Sequence, residues 1–237
     1  MSDLFYQKEC SSTNDEISQV LLYPDSNFVG LYTFNQTKGR GQYGNTWIST
    51  AEQNLAYTVA VKTGSISLSD FMFNYYTAIA VRQYIAILTQ NIVKIKWPND
   101  IILTNKKVAG ILIEKRKYDG ENYFLIGTGI NILQEKFDEI SNAGSIFTQT
   151  GKKHNLQTVV KEFHQFLVEK FKNPTSEIEV LDGFNENLFR KDEISVFEIE
   201  GVRQNGIIRK ADEHGKIWIE FENGLQSFYH KEIKLLY

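Results

Sequence analysis

Between Ser67 and Gln90 the apolar residues Phe71, Tyr75, Ile79 and Leu88 recur near a helical period, which predicts a long core helix. Leu156 to Phe171 and Glu177 to Phe189 are predicted helical on the same grounds. Other stretches alternate, or stay apolar over strand-like lengths. Leu4 to Lys8, Phe28 to Phe34, Asn54 to Lys62, Ile92 to Trp97, Asp100 to Leu103, Val108 to Lys117 and Tyr123 to Ile132 read as strands. Tight turns fall at Asn105-Lys106 and across Asp119-Gly120-Glu121-Asn122. Thr13 and Glu16 stand at capping-box spacing and open a helix expected to reach about Leu22. Residues 133–150 show no period and are expected to be irregular.

The texture changes near Asp192. Ile194–Glu200, Val202–Lys210, Lys216–Glu222, Leu225–Tyr229 and Glu232–Leu236 are short strand patterns separated by Gly or Asn turns. That density predicts a small barrel. The fold class is mixed α/β, with a larger domain at 1–189 and a small β domain at 190–237.

Composition narrows the function classes. The chain has 237 residues, 42% hydrophobic and 23% charged, enough to bury a sizeable core. Its net charge is −3 and no long Lys/Arg block appears, so no nucleic-acid face is expected. No apolar run approaches membrane-spanning length, and no basic flank precedes an apolar stretch near the start. The single cysteine, Cys10, fits a reducing cytoplasm and reads as inert packing. The four histidines are scattered without metal-ligand spacing, which argues against zinc.

The chemistry concentrates in four clusters. Gln36 to Trp47 surrounds Arg40 with Gly39, Gly41 and Gly44 and closes on an indole. Bare glycine backbone can approach and cup an anion, and a guanidinium grips carboxylate or phosphate bidentately. Lys96-Trp97-Pro98-Asn99-Asp100 sets a rigid corner that presents an amide and a carboxylate. The pair could orient an amine or a hydrated Mg²⁺, or form a solvated Asx turn. Lys107 stands at the mouth of an apolar strand where Gly110 leaves room for a bulky group. It is either a charge-neutralising group or an edge lysine. Gly127-Thr128-Gly129-Ile130-Asn131 is the fourth cluster.

With Ser12-Thr13-Asn14 in front, these clusters stand in the order found in biotin protein ligases, which the chain resembles over residues 10–132. The resemblance implies a biotin/lipoate ligase-like catalytic domain followed by an SH3-like barrel. It also implies ATP and biotin as substrates, Mg²⁺ as cofactor, and a biotin carboxyl carrier domain as acceptor. On the matching positions, Ser12, Thr13, Asn14 and Gln36 face biotin's ureido ring, with Gly39, Arg40, Gly41, Gln42, Lys107 and Gly110 completing the biotin site. Arg40, Asn45, Trp47, Lys107 and Asn131 face the nucleotide. Lys107, Arg40 and Asp100 carry the catalytic expectation, and Asp100 the metal. Gln42 and Tyr43 depart from the family pattern, where arginines are commoner, and this lessens the expected hold on an acyl phosphate. Too few residues precede Ser12 for the family's DNA-binding module. A strand edge could pair two copies into a homodimer. The rival readings are a lipoate or octanoate ligase or transferase of the same fold, and a non-catalytic biotin-binding protein.

Overall fold

The computed structural model describes residues 3–21, 27–137, 140–173 and 175–237. In chain order the elements are β1 (Asp3–Tyr6), α1 (Thr13–Glu16), β2 (Phe28–Thr33), β3 (Gly39–Arg40), β4 (Thr46–Trp47), β5 (Asn54–Lys62) and α2 (Asp70–Thr89). There follow β6 (Val93–Lys96), β7 (Asp100–Leu103), β8 (Lys106–Tyr118), β9 (Glu121–Asn131), α3 (Ile146–Thr150), α4 (Leu156–Lys172) and α5 (Glu177–Glu186). The chain ends in β10 (Ile194–Ile199), β11 (Val202–Ala211), β12 (Ile217–Phe221), β13 (Gly224–Phe228) and β14 (Lys234–Leu236).

Seven strands form one sheet in the order β1-β2-β5-β9-β8-β7-β6. Only the β1–β2 pair is parallel; the others are antiparallel. Strands β2 and β5 are buried almost throughout, which explains their continuous apolar sequence. Helices α2 and α4 pack on this sheet, with Phe73, Tyr75, Ile85, Phe163, Leu167 and Phe171 fully buried. The five C-terminal strands form a second antiparallel sheet in the order β13-β12-β11-β10-β14. Among the described residues no β13–β14 pairing closes it into a barrel. No helix among them is long and apolar enough to cross a membrane.

Four local departures from the sequence reading have physical causes. Glu16 does not close a capping box with Thr13. Its carboxylate accepts from the Ser11 backbone and hydroxyl at 2.6 and 2.7 Å and from Gln7 at 2.6 Å. The helix after Thr13 therefore ends at Glu16 and continues as a 3₁₀ turn over Ile17–Gln19, while Leu22 lies outside the described residues. Helix α5 stops at Glu186 because the next residues bond to β6: Ile95 donates to the Asn187 carbonyl and Phe189 to the Ile95 carbonyl, both at 2.8 Å. Within the stretch expected to be irregular, α3 forms on a capping box in which Thr148 replaces the usual Glu or Gln.

Behind the sheet, the Tyr57 hydroxyl and His164 Nδ1 lie 2.8 Å apart, both buried. Burial pushes the His164 imidazole down to about 4, with Asp3 opposing weakly. The unfolded chain therefore binds a proton here between about pH 6.5 and pH 4 that the folded chain refuses. Stability is expected to fall as pH drops through that window. In urea titrations at pH 7, 6, 5 and 4, His164→Gln should flatten this slope, and an unchanged slope would remove His164 as its source.

Candidate functional site

The floor of the site comes from the two longest strands. Gly110 pairs with Gly129 across β8 and β9, and Leu112 pairs with Gly127. The bare backbone is occupied from above. A methyl at Gly129 would overlap the Trp47 indole, and one at Gly127 would overlap the Asn14 amide. At Gly110 it would stand 3.0 Å from the Trp47 ring and 3.2 Å from Lys107 Cε. The room that Gly110 was expected to leave is thus taken by the loop tryptophan and the lysine stem.

One end of the cleft is polar and closed. Thr13 N donates to Gln36 Oε1 at 2.9 Å, and Thr58 Oγ1 donates to Asn14 Oδ1 at 2.6 Å. Asn14 Nδ2 in turn donates to Glu114 Oε2 at 2.8 Å. Ser12, Thr13, Asn14 and Thr58 are all buried. Thr13 thus turns its polar groups to Gln36 and Thr58 rather than capping a helix. The Thr128 hydroxyl and Trp47 Nε1, which border the cleft, are buried with no hydrogen-bond partner among the described residues.

The loop over the cleft is a short hairpin. Gly39 pairs with Trp47 and Arg40 with Thr46, and Gly41 N donates to the Asn45 carbonyl at 2.7 Å. Arg40 Nη2 sits 2.8 Å from Asp15 and 2.9 Å from Glu114, so its guanidinium is engaged at the rim. Arg116 contacts the same two carboxylates at 2.8 and 3.2 Å. Burial opposes ionisation of Glu114, but hydrogen bonds from Asn14, Arg40 and Arg116 outweigh it and hold the carboxyl below the ordinary range.

The other end is cationic. Lys107 Nζ lies 2.6 Å from Asp100 Oδ1, and Lys96 Nζ lies 3.7 Å from Asp100 Oδ2. Burial lowers the Lys96 pKa; Asp100 opposes this and Lys107 adds to it. The Trp97–Pro98 peptide at the corner is cis. Asn99 donates from Nδ2 to the Ile111 carbonyl at 2.5 Å and accepts from Ile111 N at 3.2 Å, clipping the corner to β8. Both oxygens of Asp100 face lysines, and no group of three or more metal-ligating side chains exists among the described residues. These residues do not fit a resident Mg²⁺.

The cleft thus gathers Ser12, Thr13, Asn14, Gln36, Arg40, Gly41, Gln42, Asn45, Trp47, Asp100, Lys107 and Gly110 along one lining. Two expected residues stand apart from it. Gly39 is buried within the hairpin itself, where a methyl would meet Gln36 Nε2 and the Trp47 carbonyl. Asn131 donates to the Gly144 carbonyl at 3.0 Å, and its buried Oδ1 has no partner among the described residues. Sequence reasoning gave no site role to Thr58, Thr128, Glu114 or His230, although Thr128 and Glu114 lie within its motifs. Glu114 was readable, since strand alternation puts it on the face of Gly110 and Leu112. His230 carried no such signal, because it comes from the connection between β13 and β14, far along the chain.

A family model for the biotin/lipoate A/B protein ligase family matches residues 10–131, and the chain belongs to that family. The chain is 28% identical over 131 residues to the biotin–[acetyl-CoA-carboxylase] ligase of Mycobacterium tuberculosis, covering 53% of this chain and 48% of that protein. It is 30% identical over 116 residues to the bifunctional ligase/repressor BirA of Escherichia coli, covering 48% and 36%. The chain therefore spans less than half the length of these curated relatives. The fold also superposes on a biotin protein ligase from Aquifex aeolicus solved in complex with biotin and ATP. That match has a TM-score of 0.79, 25% identity, and coverage of 99% of this chain and 98% of the other.

Gly129→Ala is expected to lift the Trp47 indole off the sheet into water. The tryptophan emission should shift to longer wavelength while the unfolding free energy from urea titration falls by about 1–3 kcal/mol. An unshifted spectrum would mean that the indole does not depend on this bare patch.

Proposed function

We propose that this chain is an ATP-dependent biotin protein ligase. It activates biotin to biotinyl-5′-AMP and then transfers biotin to a lysine of a biotin carboxyl carrier domain. The observation that carries this reading is one cleft with a buried amide-and-hydroxyl end and a lysine at the other. A ureido ring offers one carbonyl and two N–H groups, and Ser12, Thr13, Asn14 and Gln36 stand where such groups need partners. A dithiolane or plain acyl chain would leave that end unmatched, which sets biotin above lipoate or octanoate.

Lys107 then meets the carboxylate. Its ammonium, held here by Asp100, neutralises the acid on binding and the phosphate that replaces it. The carboxylate oxygen attacks the α-phosphorus of ATP, the bond to the bridging oxygen breaks, and pyrophosphate leaves. The carrier amine next attacks the acyl carbon, the carbon–oxygen bond breaks, AMP departs, and the amine loses a proton. Arg40, Asn45, Trp47 and Asn131 serve the nucleotide in this scheme, Asn131 from behind the lining. Mg²⁺ belongs to the nucleotide substrate, because Asp100 is committed to lysines.

The open space in the cleft is about 130 Å³, below the roughly 300–1,000 Å³ of ordinary ligand pockets. Binding therefore requires the Gly39–Trp47 hairpin and its indole to move. The remaining assignments of the proposal are a catalytic unit at 1–189 and a small C-terminal unit at 190–237. Action in the cytoplasm without nucleic acid, and pairing of two copies through a strand edge, belong to it too.

Biotin-dependent exchange of labelled pyrophosphate into ATP tests the reading. Exchange with biotin and not with lipoate or octanoate is expected; exchange with lipoate alone, or with none of the three, overturns it. Lys107→Ala should lose at least about 100-fold of the exchange rate while its unfolding free energy stays within about 1 kcal/mol of wild type. Wild-type exchange in that variant would take Lys107 out of the chemistry.

A further inference from the structure

The tip of the hairpin meets a segment from the far end of the chain. Tyr43 is 62% exposed and adopts a left-handed backbone, φ 55°, which costs a non-glycine residue energy unless something holds it. Lys231, in the connection between β13 and β14, is also left-handed at φ 77°. Its Nζ donates to the Tyr43 carbonyl at 3.1 Å and stands 4.8 Å from the centre of the Tyr43 ring. The neighbouring His230 ring lies 4.9 Å from that ring and 5.7 Å from Trp97 at the Lys-Trp-Pro-Asn-Asp corner. Next to Tyr43, Gly44 has no atom near its Cβ position, so the tip lies open on its other side.

We propose that Lys231 is a positioning residue, a latch that holds the glycine hairpin down over the cleft from the C-terminal sheet. The ammonium grips the hairpin by one carbonyl and one aromatic face, and both contacts break when the tip lifts. The connection that carries it is braced by Glu232, which accepts from Tyr229 N at 2.7 Å. His230 borders the cleft itself, so the latch and the lining share one short segment. The other tie, Arg40 with Asp15 and Glu114, fastens the hairpin at its base. With base and tip both fastened, Trp47 stays on the glycine floor. The consequence for ligand entry rests on the ligase reading above; the latch itself does not.

Trypsin cleavage after Arg40 in the full-length chain without ligands reads the latch directly. Lys231→Met keeps the stem and removes the charge, and it should be cut roughly three- to tenfold faster than wild type at an unchanged urea midpoint. Lys231→Arg, which restores a donor and a cation over the ring, should return the rate to within twofold. Equal cutting of wild type and Lys231→Met overturns the proposal, as does fast cutting in Lys231→Arg. In pyrophosphate exchange, Lys231→Met should lower the KM for biotin severalfold, since the hairpin must lift before biotin enters, with kcat within twofold. If the wild type shows no exchange at all, the ligase reading fails and the trypsin comparison still decides the latch.

Discussion

The site depends on a backbone contact between two strands that lack side chains where they meet. Gly110 and Gly129 face each other in the β8–β9 ladder, with Gly127 one step along. Glycine inside a strand weakens it through lost packing and added chain entropy. Here the ladder runs for ten residue pairs from Ala109–Ile130 to Tyr118–Glu121, and strands flank it on both sides. The sheet can therefore tolerate a bare patch at its centre. That patch is where a flat indole and an amide come to rest on backbone, and their seats set the width and the chemistry of the cleft.

The charges around the patch are divided by function. At the polar end, Arg40 and Arg116 share Asp15 and Glu114, two cations with two carboxylates, so the group is close to neutral. A neutral rim suits an uncharged ring. At the other end Lys96 and Lys107 share only Asp100, leaving a surplus positive charge beside the partly buried His230. Burial holds the His230 pKa low, and the neighbouring lysines Lys96, Lys231 and Lys107 add to this while Asp100 opposes. An anion brought to that end relieves repulsion among groups already present, which is electrostatic preorganisation in its plainest form. Arg40, which sequence alone places over the ligand, acts in this structure as a fastener at the rim.

What the sequence disclosed follows a physical boundary. Local signals were legible: the existence of the long helix α2, the apolar run of β2, the glycines of the hairpin, and the corner at Trp97-Pro98. The alternation expected in β5 is absent because both its faces are buried, and Phe71, counted with the apolar residues of α2, is 47% exposed. The hairpin and the corner were read as they stand. The gathering of Ser12, Gln36, Arg40, Asp100 and Lys107 was legible too, because ordered motifs in a known family carry spatial information that spacing does not. Competition between local and distant partners was not legible. Glu16 had two plausible uses, and Ser11 with Gln7 won over a capping box. Leu188 fits a helix by pattern but joins β6 as a bridge, since Ile95 lies beside it in space and far away in sequence. Thr58 looks like any β-branched strand residue until its hydroxyl is seen fixing Asn14.

The C-terminal strands matter to the site because they are not loosely tethered. Asn185 donates to the Ala211 carbonyl at 3.0 Å and accepts from Ala211 N at 2.7 Å, a two-point clip between α5 and β11. Tyr75 of α2 donates to the Asp212 carbonyl at 3.3 Å, and the apolar cluster under the large sheet runs on into Phe197, Ile208, Ile219 and Phe221. Asp212 also accepts from His214 N and Lys216 N at 3.0 Å and from Trp218 Nε1 at 2.6 Å. A sheet docked through helices α2 and α5 is tied to the same core that carries the cleft floor. Lifting Tyr43 breaks its contacts with Lys231, which sits in the connection between two of those docked strands.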